Sequence, residues 1–241
     1  MTREDSGTRG LYRALLANVA SHGVAMGAMA LLLMPMMPGG TTEDPALRMR
    51  LIAEETWRFR LGWLPWHLCA LTDLWLGVAM VRARPLPRAP AWIVLILTLV
   101  AVVPDQLGQA RWLSAGVALA RQGDVAAYLA FERPAFELTA GWGALVYTAA
   151  AIGWTVCFQR AGLQSPAMRR VAWLTWPLML VVTVATLTVT PTPLSARLIS
   201  TGNGIGFTLM MLWLIGLTRA AKAAWRSEEA PPPAAPPPPG G

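Results

Sequence analysis

Four titratable side chains sit inside runs that are otherwise hydrocarbon. His22 lies in "NVASHGVAMG", His67 and Asp73 share "PWHLCALTDLWLG", and Asp105 stands in "VVPDQLGQARW". An aspartate at the centre of a spanning helix costs about 2.5 to 3.5 kcal/mol on insertion scales, so a tolerated one faces protein or water. A carboxylate beside an imidazole can share a proton, which suits coupled transport or pH sensing. The same pair can instead be structural, holding two helices in register. Asn18, Gln109 and Asn203 are the further polar candidates, all placed within apolar stretches.

Other chemistry is poorly supplied. Nothing matches a phosphate-cradling glycine loop, HExxH or GxSxG, so no catalytic residue is assigned. Cys69 and Cys157 have neither CxxC nor ligand-like spacing, which disfavours a disulfide or zinc site. Met34, Met36 and Met37 carry soft sulfurs suited to Cu(I), but no histidine or cysteine adjoins them, and they read as lipid-facing filler. Haem held by His22 and His67 is disfavoured because the two fall at different depths. No metal and no cofactor is therefore expected. A membrane-embedded enzyme, or a haem- or copper-binding redox protein, is the alternative to a non-enzymatic sensor, small-solute transporter or scaffold.

The elements that must position these residues follow from composition. Of 241 residues, 55% are hydrophobic and only 14% charged, against about a quarter charged in soluble domains. A span needs roughly 20 apolar residues. Six stretches qualify, near 14–37, 61–81, 91–113, 138–159, 171–190 and 201–218. The fold class is all-α, a polytopic six-transmembrane-helix bundle over 14–220. Residues 1–13 precede it, and an extended Pro-rich tail over 221–241 follows, since consecutive prolines lack donors. The segments "DPALRMRLIAEETWRFR" and "GDVAAYLAFERPAF" read as amphipathic helices lying on the outer surface.

Charge sets the orientation. Arg3, Arg9, Arg13, Arg82, Arg84, Arg88, Arg160, Arg169, Arg170, Arg219, Lys222 and Arg226 fall on one side in alternate loops. That excess predicts that both termini are cytoplasmic. The formal charge of +7 is dispersed among loops rather than gathered on one face, which disfavours nucleic acid. The lipid bilayer is the expected partner, with a second copy or another membrane protein as a further one; no small-molecule ligand is identified. Trp57, Trp63, Trp66, Trp112 and Trp142 mark an outer interfacial belt, and Trp92, Trp173, Trp176 and Trp225 an inner one.

Depth along each span pairs the polar groups. At about 1.5 Å per residue, His22 and Asp73 both lie about 12 Å from the inner boundary, and His67 and Asp105 about 9 to 12 Å from the outer one. Sequential antiparallel helices neighbour one another, so two pairs are predicted: His22 with Asp73, and His67 with Asp105. Close helix approach is expected at Gly23 and Gly27, a GxxxG pattern, and at Gly62 and Gly77 on the face that carries Asp73. Thr183, Thr186 and Thr190 form a hydroxyl stripe in the fifth span.

The runs "FRLGWLPWHLCALTDLWLGVAM" and "GNGIGFTLMMLWLIGL" resemble an uncharacterised family of bacterial multi-pass membrane proteins, a domain of unknown function. The resemblance covers residues 10–220. It implies about six helices and a bacterial inner-membrane home, and brings no activity or site residue with it.

Overall fold

Short polar and glycine signals set the helix limits. Asp44 accepts from the Ala46 amide at 3.0 Å, with Pro45 at the first helical position, and starts α2, Pro45–Glu54. Asp124 accepts from Ala127 at 3.0 Å to start α6, Val125–Phe136. Ser165 accepts from Met168 at 3.3 Å ahead of α8, Pro166–Thr188. Each cap satisfies an amide that the helix itself leaves open. Gly123 at φ 76° ends α5, Val117–Gln122, and Gly162 at φ 71° follows α7, Ala144–Arg160. Both need the left-handed conformation that glycine adopts without cost.

The structure, a computed structural model, describes residues 7–190 and 192–229. The remaining helices are α1, Gly7–Ala28; α3, Thr56–Arg82; α4, Arg88–Arg111; and α9, Pro193–Glu229. The fold is all-helical, with no strand among the described residues. Six helical stretches are long and apolar enough to cross a membrane: Gly7–Met36, Thr56–Arg82, Arg88–Gln122, Val125–Arg160, Pro166–Thr188 and Pro193–Glu229. Two of them, Arg88–Gln122 and Val125–Arg160, outrun the expected spans 91–113 and 138–159 because π-helical turns carry them on. Met29–Leu33 extends α1, Trp112–Gly116 joins α4 to α5, and Glu137–Gly143 joins α6 to α7. Such a turn re-aims side chains without ending the helix. The bounds also shift at both ends of the chain. Helix begins at Gly7 rather than 14, and α9 runs through Lys222 and Trp225 to Glu229, so 221–229 are helical rather than extended. Residues 230–241 lie outside the described residues.

The long helices form a closed ring in chain order. α1 packs on α3, α3 on α4, α4 on α7, α7 on α8, α8 on α9, and α9 returns to α1. Two apolar cores fill the ring. One, at the end where α1 begins and α9 ends, joins Leu11, Leu76, Val94, Phe158, Trp176 and Trp213. In it Trp176 meets Trp213 edge-on at 5.2 Å and donates its indole N–H to Thr155 at 2.8 Å. The second, at the opposite end, joins the end of the first span to α2, α3, α5 and α6 through Met36, Ile52, Phe59, Trp63, Trp112 and Phe131.

That second core corrects two expectations. Trp63 and Trp112 stack at 6.4 Å and are buried, rather than standing in an interfacial belt, whereas Trp57 and Trp142 remain exposed. Met36 and Met37 are buried in the same core and do not face lipid. Trp112 continues the buried face of α4 that carries Thr98, Ala101 and Gln109, which points this ring inward. Above the core, α2 and α6 are joined by a buried ion pair. Arg48 Nη2 donates to Glu132 Oε2 at 2.6 Å and Nε to Oε1 at 3.1 Å, while Nη1 donates to the carbonyls of Thr42 and Glu43. The two amphipathic segments thus form one cap over this end of the bundle.

Candidate functional site

Between the two cores lies a polar layer built by α1, α3, α4 and α7. Buried hydroxyls throughout the bundle bond back to carbonyls four residues earlier, as Thr98 does to Val94 at 2.9 Å and Thr186 to Val182 at 3.0 Å. Such back-bonds satisfy a hydroxyl where no water is available. In the fifth-span stripe, Thr183 is buried with its hydroxyl unpartnered, and Thr190 is exposed. Carboxylates have no such local remedy, and the structure answers Asp73 and Asp105 in different ways.

Asp73 is 6% exposed and is held across the α1–α3 contact. Asn18 Nδ2 donates to Asp73 Oδ1 at 2.5 Å, and His22 Nε2 lies 4.0 Å from Oδ2. One turn of spacing, 18 to 22, places both side chains on the same face of α1. Ser21 and Thr72 add a hydroxyl contact at 2.7 Å beside them. His22 Nδ1 lies 3.0 Å from the Asn18 carbonyl, which can only accept, so the ring proton is assigned to Nδ1. A neutral ring then turns the Nε2 lone pair toward a carboxylate oxygen, setting acceptor against acceptor. The contact is attractive only when the pair holds a further proton, as imidazolium facing carboxylate or as carboxylic acid facing imidazole.

Asp105 is half-buried, and its partners come from its own helix. Gln109 Nε2 donates to Oδ2 at 2.9 Å and Gln106 Nε2 to the same oxygen at 3.1 Å. No described residue hydrogen-bonds to Oδ1. His67 reaches Gln106 Oε1 through Nδ1 at 2.6 Å rather than touching Asp105. The expected His67–Asp105 pair is therefore corrected to a chain, His67 to Gln106 to Asp105. The reason is angular: neighbouring positions on a helix are turned by about 100°, and it is position 106 that faces α3. On the far side, Gly143 packs against Asp105, where a Cβ would stand 3.1 Å from the aspartate Cβ. Glycine at that position lets α7 come this close.

Three contributors escaped sequence reading. Gln106 was hidden by its neighbour, although two polar residues in succession within a span were a signal. Thr72, next to Asp73, carries no mark of its own in the sequence. Tyr147 on α7 has a buried hydroxyl with no partner and lies near enough to both acids to feel their charge; nothing in "GALVYTAA" marks it. Among the expected residues, Asn203 is half-buried on α9 and makes no side-chain hydrogen bond among the described residues. Gly62 and Gly77 stand at close approaches, where a Cβ would meet Leu33 at 2.6 Å and Leu95 at 2.9 Å. Gly23 and Gly27 do not: a Cβ at Gly23 would meet only Met211 at 3.7 Å and one at Gly27 nothing within 4 Å. The GxxxG pattern faces away from the tight contacts, so that packing expectation is corrected.

His22 belongs to the α1–α3 contact and His67 to the α3–α4 groove. No group of three or more histidine, cysteine or acidic residues placed to hold a metal ion is found among the described residues. No protein family, curated protein or solved structure matches the chain.

Proposed function

We propose that the chain is a multi-pass protein of the bacterial cytoplasmic membrane, with both termini in the cytoplasm, that senses protons or couples their movement to a small solute. Six long apolar helices support the membrane reading. The excess of arginine in alternate loops supports the orientation. The observation that carries the proton reading is the His22–Asp73 contact. With Nδ1 committed to the Asn18 carbonyl, Nε2 and Oδ2, 4.0 Å apart, attract one another only when the pair carries one further proton. Asp105, with an oxygen that no described residue occupies, supplies an acid at the edge of the same layer, close enough for the two carboxyl groups to interact. A protonatable pair inside the bundle and a more open acid beside it are the parts that a proton pathway needs.

The test uses purified full-length protein in proteoliposomes carrying an internal pH-sensitive dye. An imposed potential should drive proton uptake in the wild type, and Asp105→Asn should abolish it while the protein stays folded. Infrared difference spectroscopy on the same samples should show a carboxyl band that disappears in Asp73→Asn. Absence of both the flux and the band in the wild type would reduce the layer to a structural bundle core, and the proton reading would be wrong.

A further inference from the structure

A different site stands at the end of the ring where α1 begins. In "VRARPLPRAPAW", basic and apolar residues alternate across the turn between α3 and α4. Ala83 and Leu86 are plugged into the core there, 3% and 4% exposed. The Ala83 amide donates to the carbonyls of Ala79 and Met80, and Leu86 donates to Ala83 at 3.2 Å. Gly7 of α1 packs on the turn so closely that a Cβ would come within 2.5 Å of the Arg82 carbonyl oxygen. Pro85 and Pro87 restrict the rest of the turn.

This fixed backbone turns Arg82, Arg84 and Arg88 outward. All three are exposed, and none forms an ion pair or hydrogen bond among the described residues. Arg48, Arg58, Arg133 and Arg197 by contrast each have a carboxylate. Together with Val81, Ala83 and Trp92, the three surround an open pocket of about 400 Å³. The N-terminus of α4 opens beside it without a side-chain cap. Trp92, 53% exposed, stands one turn into the span, and Ile93 and Ile96 continue an exposed apolar track at 59% and 55%.

We infer that this pocket binds the phosphate of an anionic membrane lipid, with the arginines on the headgroup and the acyl chains along the Trp92–Ile96 track. Three unpaired guanidiniums on a rigid turn match phosphate oxygens. The ring at headgroup level and the apolar track favour a lipid over free phosphate, which would use only the charges. The site is independent of the Asp73 and Asp105 layer.

The experiment measures lipid retained by full-length protein in detergent, by native mass spectrometry, with phosphatidylglycerol, phosphatidylcholine or inorganic phosphate added. The wild type should keep phosphatidylglycerol in preference to phosphatidylcholine. The triple variant R82Q/R84Q/R88Q should bind it about tenfold or more weakly, with unchanged helicity by circular dichroism. The control R169Q/R170Q removes exposed arginines of the same predicted side outside the pocket and should bind as the wild type does. Equal losses in both variants would replace the site by diffuse charge. Indifference between the two lipids, or displacement of phosphatidylglycerol by inorganic phosphate at equal concentration, would also overturn it.

Discussion

Asp73 and Asp105 are the same side chain in neighbouring helices of one polar layer, yet they are held by opposite means. Asp73 uses both oxygens on a different helix, α1, and is nearly sealed. Asp105 receives two amides on one oxygen from its own helix, has its other oxygen unoccupied by described residues, and is half-buried. The difference separates two jobs that a buried acid can do. An acid gripped across a helix contact ties two elements together, and removing it strands partners that cannot reach water. An acid dressed by its own helix contributes little to the tertiary contact and is free to change its protonation state or its partner.

The Arg48–Glu132 pair calibrates that distinction from outside the layer, because it too is buried and bridges separate elements. Removing one partner of a buried pair costs about 3 to 5 kcal/mol. Glu132→Ala should therefore give the largest fall in thermal unfolding midpoint of the variants considered, followed closely by Arg48→Ala. Replacing both by apolar residues of similar volume should recover most of the loss. An effect near zero for Glu132→Ala in detergent would mean that bridging elements is not what sets the cost, and the contrast between the two aspartates would lose its basis.

Next in size is Asp73→Ala. It leaves the buried Asn18 amide without its acceptor, at about 1 to 3 kcal/mol, and also removes the carboxyl group that faces His22 across the α1–α3 contact. Asp73→Asn keeps an oxygen for Asn18 and should lose roughly half as much. Asp105→Ala should cost less, about 1 kcal/mol, because Gln106 can turn to water and the Gln109 amide is the one buried partner left stranded. Melting all three in one detergent tests the ordering, and equal losses at positions 73 and 105 would erase it.

A double-mutant cycle sharpens the comparison further. Asn18→Ala combined with Asp73→Ala should show coupling of about 0.5 to 3 kcal/mol, the range for residues in direct contact. Gln106→Ala combined with His67→Ala should show less, since both groups are half-buried and can turn to water. The reverse order would place the stronger cross-helix tie at Asp105.

The bundle was legible in the sequence because hydrophobicity summed over 20 residues is a strong signal, and the depth of His22 and Asp73 followed from counting along two helices. What failed was rotation. A depth estimate does not say which way a side chain points around its axis, so His67 was matched with Asp105 when position 106 faces it. The GxxxG pattern erred in the same way, since its spacing describes a stripe without saying which neighbour the stripe meets. Arg48 and Glu132 were 84 residues apart and each belonged to a segment that read as a surface helix. Only the packing of α2 on α6 turns two ordinary surface charges into a buried pair. The π-helical turns were illegible altogether, since no residue type marks them, whereas Trp112 was assigned to the interface although it continues the stripe of Thr98, Ala101 and Gln109 into a core.

The smallest expected effect is also the most direct reading of openness, and it needs no stability change. In a background where the buried Cys69 and Cys157 are replaced by alanine, a single cysteine at position 105 should react with a small maleimide in proteoliposomes, and one at position 73 should stay unmodified until the protein is denatured. The chemistry requires a thiolate, and a thiolate forms readily only where water reaches it. The half-buried rim of Asp105 meets that condition and the 6% exposed Asp73 does not. Adding the reagent from one face at a time would also report on which side the layer opens. Rapid labelling at position 73 would mean that water already threads the α1–α3 contact, and the sealed acid would then be as available for proton exchange as the open one.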